Sequence, residues 1–259
     1  MELYDFIGLG YDKTRCADPY ITSRLIHHLD PNNQGRYLDV GCGTGNYTIA
    51  LKKEGIQMVG IDPSSVMLKN ASQKDDSIEW CLSHAEKMPF MNSTFNGCIC
   101  VSAIHHFTNI LESLYEIFRV IEYGRAVFFT CSHEQIKGYW LNHYFPKTLN
   151  RLCEYMPNID VLKSCLLNSG FKFLYTEKYD VHDELKDNFI YSKKRMPHIY
   201  LDDDFRKGLS VFVANVEFDE VYKGCEQLKE DIHTGIINDV LLSYDNDFGD
   251  YMFIVAEKE

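Results

Sequence analysis

Asp39, Gly41, Gly43 and Gly45 stand at alternate positions, and Asp62 follows one helix-length and one strand-length later. Residues without a Cβ let a turn take unusual dihedrals and let a ligand lie directly against the backbone. A carboxylate at the end of a strand can accept from both hydroxyls of a ribose. This set suits a nucleoside-containing cofactor. A second set is the adjacent pair His105 and His106, with His133 further along. Imidazole titrates near neutral pH, so each is a candidate general base, in the order His106, His105, His133. Plainer roles exist for all of them. The glycines suit a turn in any α/β domain, Asp62 suits an N-cap for a helix opening at Pro63, and a histidine can simply bond backbone in the core.

Those residues need a particular scaffold. Tyr37 to Val40 reads as a buried strand, followed by a helix that opens at Gly45 and Asn46 and stops at Gly55. Further strands are expected at Ile56 to Ile61, Ile78 to Leu82, Phe95 to Ser102, Ala126 to Cys131, Phe171 to Tyr179 and Asp250 to Ala256. Helices are expected at Pro19 to Leu29, with Asp18 as cap, at Thr108 to Ile121, and at Ile159 to Asn168. Glu122 to Arg125 reads as the turn into the fifth strand. Between Leu82 and Phe95 a helix is hard to see. Such alternation is the mark of a parallel sheet flanked by helices.

The spacing G-x-G-x-G after an acid resembles motif I of the class I S-adenosylmethionine-dependent methyltransferases, in the type 11, quinone-biosynthesis-like group. Ala85, Glu86, Pro89 and Phe90 resemble that family's segment after the third strand, with His84 where an Asp is common. His105 and His106 after the fourth strand resemble it again. The resemblance implies an α/β fold: a Rossmann-like sheet of seven strands, the last antiparallel between the fifth and sixth, with a helical cap insertion. It implies S-adenosylmethionine as cofactor, with S-adenosylhomocysteine as product. The implied contacts are Tyr11, Arg15, Asp39, Gly41, Gly43, Gly45, Asp62, Pro63, Met67, His84, Ala85, Glu86 and Ser102. In that family Arg15 would pair with the cofactor carboxylate; an ordinary solvated loop is the other reading of Tyr11 and Arg15. An NAD-linked oxidoreductase and a cofactor-binding protein without turnover stay open as alternatives.

The departure from the family is in length. Residues 133–156 and 181–247 exceed the usual connections and are expected to meet over the carboxyl edge of the sheet as a substrate cap. The core would then comprise 1–132, 157–180 and 248–259. Lys193, Lys194 and Arg195 in the second insertion suit an anion clamp, or a solvated face. A formal charge of -12 over 259 residues makes nucleic acid a poor partner. The expected acceptor is a small molecule, anionic or aromatic. Nine cysteines with no C-x-x-C pair suit free thiols in a cytoplasmic setting, and Cys98 and Cys100 suit a packed core rather than a metal. No apolar run has the length of a membrane span.

Overall fold

Asp18 opens α1 (Pro19–Leu29), the first α-helix among the described residues, by accepting from the backbone N–H groups of Tyr20 and Ile21. The computed structural model describes residues 12, 14–213 and 217–259; Tyr11 lies outside the described residues. Then come β1 (Arg36–Val40), α2 (Asn46–Lys53), β2 (Gln57–Asp62), α3 (Ser65–Lys74), β3 (Glu79–Leu82), β4 (Phe95–Val101), α4 (Ile110–Val120) and β5 (Ile121–Thr130). The second half carries α5 (His133–Lys137), α6 (Pro146–Tyr155), α7 (Ile159–Asn168), β6 (Lys172–Tyr179), α8 (Asp203–Lys207), α9 (Phe218–Thr234), α10 (Ile237–Ser243) and β7 (Tyr251–Lys258).

The strands form one sheet in the order β3-β2-β1-β4-β5-β7-β6. β1 to β5 are mutually parallel, and β7 runs antiparallel to both β5 and β6. This is the Rossmann-like class I methyltransferase sheet. Strand order reverses beside β1, and in such sheets ligands bind outside the carboxyl ends of the strands at that point.

The two faces of the sheet are covered differently. One face buries Leu38, Val59, Cys98 and Phe128 against Leu114 and Ile117 of α4 and Leu162 and Leu166 of α7. The other buries Tyr37, Val127 and Phe253 against α1 and against residues of the two long insertions. Those insertions pack on each other. The Trp140 indole N–H donates to the Lys194 carbonyl at 2.8 Å, and the Tyr144 hydroxyl donates to Asp231 at 2.9 Å. Tyr139 stacks on Tyr191 at 4.0 Å. Trp140, Tyr191 and Phe212 share one continuous apolar cluster with the sheet face.

Several expectations about elements are corrected. Residues 122–125 are not a turn: α4 runs straight into β5, Ile121 ending one and opening the other. The irregularity falls in the β4–β5 pairing between Phe95 and Gly97 instead. α3 does not open at Pro63. Its cap is Ser64, whose hydroxyl accepts from the Met67 N–H, so Asp62 is not its N-cap. Residues 83–94 form turns, pinned by the Arg119 guanidinium to the carbonyls of Met88 and Phe90. Cys98 and Cys100 are buried in the same apolar cluster, and all nine cysteines are free thiols.

Candidate functional site

The glycine-rich loop leaves β1 and is tied to the end of β2. Gly41 and Cys42 both donate to the Ile61 carbonyl at 2.9 Å, and Gly43 donates to Asp62 Oδ2 at 2.9 Å. Asp62 Oδ1 accepts from the Ser64 N–H at 2.9 Å. One carboxylate therefore fixes both the loop and the entry to α3. The glycines differ in purpose. A Cβ on Gly45 would fall 2.4 Å from the Trp80 ring, so this glycine serves helix packing and lies off the cleft. A Cβ on Gly43 would meet no atom within 4 Å, because that position opens into the cleft. Its φ of +54° is a conformation L side chains rarely adopt.

Asp39 is buried on β1, and its Oδ2 accepts from the Thr48 hydroxyl at 2.6 Å. Burial pushes its carboxyl up to about 7, reinforced by the charge of Asp62.

The cleft encloses about 1270 Å³ of empty space out to its solvent-open mouth. Its walls bring together Arg15, Asp39, Gly41, Gly43, Asp62, Pro63 and Met67. His84, Ala85, Glu86, Ser102 and His106 complete the expected set within it. Glu86 is partly engaged: its Oε1 accepts from the Thr108 and Asn109 N–H groups at 2.7 and 3.1 Å. Ser102 has a φ of +51°, a strained value for serine, at the point where β4 ends.

The three histidines separate. The His106 ring reaches the open cleft, yet surrounding protein disfavours its charged form and holds it down to about 4. His105 packs its ring 3.9 Å from His106 but faces away from the cleft, and burial pushes its pKa well below the usual value. His133 is in neither place: its Nε2 donates to the Met156 carbonyl at 2.7 Å, which uses it structurally at the start of α5.

A second cavity of about 680 Å³ adjoins the first, and Arg15 and Ser102 line both. His105, Thr130 and Tyr251 form its floor, while Leu152, Met156, Phe189 and Leu209 come from the two insertions. Between the cavities Arg15 is held by a carboxylate that the sequence did not mark. Asp187 accepts from the Arg15 guanidinium, and its Oδ2 also accepts from the Tyr47 hydroxyl at 3.0 Å. The Arg15 guanidinium lies 4.8 Å from the Phe189 ring centre. Asn188 N–H donates to the Thr14 carbonyl at 3.1 Å, and Lys186 N–H donates to Asp18 at 3.1 Å. Residues 14–18 and 186–189 are thus laced together across the site.

Residues 38–129 match the family described as a methyltransferase domain. A demethylmenaquinone methyltransferase of Lactiplantibacillus plantarum is 33% identical over 165 residues, 57% of this chain and 69% of that protein. The chain belongs to the class I S-adenosylmethionine-dependent methyltransferases, in the type 11 group. A malonyl-[acyl-carrier protein] O-methyltransferase of Erwinia pyrifoliae is 28% identical over 49% of this chain and 50% of its own. A tRNA (carboxymethyluridine(34)-5-O)-methyltransferase of Schizosaccharomyces pombe is 26% identical over 52% and 58%. The chain therefore spans about half the length of these last two relatives. A solved structure from Anabaena variabilis, named as a methyltransferase from an antibiotic biosynthesis pathway, covers 93% of this chain and 98% of its own. Its TM-score is 0.82 and its identity 28%.

In this methyltransferase the basic run of the second insertion is not an anion clamp over the site. Lys194 pairs with Asp250 and Arg195 with Asp183, and both line a different cavity. Lys193 reaches toward the Leu185 carbonyl at 3.5 Å. Asp187 carried no sequence signal, being one of several acids in 180–187 that only the tertiary fold sorts.

Proposed function

We propose that this chain transfers a methyl group from S-adenosylmethionine to a small-molecule acceptor. The observation that carries this is the joining of two cavities at Ser102 and Arg15, one walled by the loop and its two carboxylates, the other by the insertions. The residues of the first cavity fit the cofactor. Gly43 leaves the space a side chain would fill, and the Asp62 carboxylate, oriented by two backbone donors, lines the cleft where a ribose diol would lie. Met67 and His84 to Glu86 would flank the adenine. Gly41 and Asp39 would flank the amino-acid end, beside Arg15, whose charge Asp187 matches.

When bound, S-adenosylmethionine supplies an electrophilic methyl carbon: the acceptor's lone pair forms the new bond while the sulfur–carbon bond breaks, its pair staying on sulfur. The protein's share is positioning, because holding reactants in line removes much of the entropic barrier. The insertions would exclude water from the junction. His106 lines the first cavity and is neutral at pH 7; with its basicity lowered to about 4 it would be a weak base for a proton the acceptor sheds. The formal charge of -12 favours a small acceptor over nucleic acid, and nine unpaired thiols favour a reducing cytoplasm. The NAD-linked alternative is not favoured by the family.

The test is transfer of labelled methyl from S-adenosylmethionine into a fractionated small-molecule extract, with a nuclease-treated and an RNA fraction alongside. Label in a small-molecule fraction supports the reading. Label only in RNA, or none while the cofactor binds, contradicts it.

A further inference from the structure

The second cavity also carries information on what the acceptor is, on the reading that the first cavity takes the cofactor. Among the described residues that line it, Arg15 is the only one with a formal charge, and Asp187 already matches that charge. A charged acceptor would leave water and find no opposite charge to meet it. Leu152, Met156, Phe189, Ile190, Leu209 and Val211 supply apolar wall, among uncharged polar side chains. The Tyr251 hydroxyl oxygen accepts from the Tyr191 N–H at 3.1 Å.

Two polar atoms in this lining are buried and have no hydrogen-bond partner: His105 Nδ1 and Asn188 Oδ1. A buried amide oxygen left unpaired costs free energy, so such atoms mark where a ligand's own groups belong. Asn188 is pinned through its backbone to Thr14, and its amide oxygen stands in the wall as a buried acceptor. His105 sits at the floor with its ring against His106, which faces the cofactor cleft.

We propose that the acceptor is an uncharged molecule with an apolar body. It presents an O–H or N–H hydrogen to Asn188 Oδ1 and a polar group to His105 Nδ1. Asn188 is thereby a specificity-determining residue for hydroxyl- or amine-bearing acceptors. Free carboxylates, phosphates and ammonium ions are rejected by the neutral wall.

Three matched probes test this on the full chain at saturating S-adenosylhomocysteine and pH 7: 2-naphthol, 2-methoxynaphthalene and 2-naphthoate. The expected order is 2-naphthol first, with each of the other two at least about tenfold weaker, one lacking the donor and the other carrying charge. In Asn188→Leu the advantage of 2-naphthol over 2-methoxynaphthalene should shrink to less than about threefold. Asn188→Asp, which keeps an acceptor, should retain the preference for the hydroxyl. Calorimetry of S-adenosylhomocysteine on each variant reports folding and the first cavity separately. If that ligand fails to bind the wild type, the cofactor reading itself has failed. If it binds and 2-naphthoate is preferred, if no probe binds, or if the hydroxyl preference survives in Asn188→Leu, the acceptor class is wrong.

Discussion

Asp62 and Asp39 are both strand carboxylates, but their surroundings give them different work. Asp62 is held by two backbone donors and faces the cleft, so Asp62→Ala removes charged hydrogen bonds to the ligand and releases the loop. S-Adenosylhomocysteine affinity should drop roughly 100-fold or more, while the far-ultraviolet circular dichroism spectrum is kept. Gly43→Val places a branched side chain in the open position of the loop. It should abolish cofactor binding in calorimetry and lower stability by about 1–2 kcal/mol for the left-handed backbone. Asp39 and His106 also leave opposite marks on stability against pH. The folded chain keeps a proton on Asp39 up to about 7, whereas an unfolded Asp loses it near 3.8, so this group weakens the fold as pH rises through that window. His106 is lowered from 6.5 to about 4, so the unfolded chain takes up a proton there first, and stability is lost as pH falls from 6.5 toward 4. Melting temperatures at pH 5 and pH 7 separate the two. Asp39→Asn should enlarge the gain on going to pH 7, and His106→Gln should reduce it.

At the scale of elements, a short stretch of chain on either side of the cleft is tied across it. Arg15 belongs to the lead into α1, and Asp187 to the second insertion, with Tyr47 of α2 bonding the same carboxylate. Removing one partner of such a buried set leaves the other uncompensated. Asp187→Ala should therefore cost about 3 kcal/mol in urea unfolding. It should also raise amide exchange in residues 14–18 and 186–189, which a loss of core packing elsewhere would not single out. Much of this scale was legible beforehand. The α7 boundaries, Ile159 and Asn168, follow from an apolar stripe and a stop glycine, and α1 follows from Asp18 and Pro19. The α4–β5 junction was not, because Ile121 satisfies the core pattern of both elements and no proline or glycine separates them. Asp187 was hidden for a different reason. Its partner stands 172 positions away, and only the closed sheet brings the two together.

At the scale of the whole molecule, sheet topology explains why the chemistry collects where it does. The glycine loop, Asp62, Ala85 and Ser102 follow four parallel strands, and their carboxyl ends share one edge. β7 enters antiparallel between β5 and β6, so the connection before it starts and finishes at that same edge. The two insertions are therefore delivered over the junction of the cavities, where they share a core with the sheet. The motif segments were readable because each is local in sequence. The second cavity was not, since its walls come from seven separate stretches of chain.

The most direct measurement is calorimetric titration of the wild-type chain with S-adenosylhomocysteine, with NAD in parallel and Asp62→Ala as the control. Micromolar binding of S-adenosylhomocysteine, lost in Asp62→Ala and not reproduced by NAD, is the predicted result. Binding of NAD alone, or S-adenosylhomocysteine binding that survives loss of the Asp62 carboxylate, would contradict the assignment of this cleft.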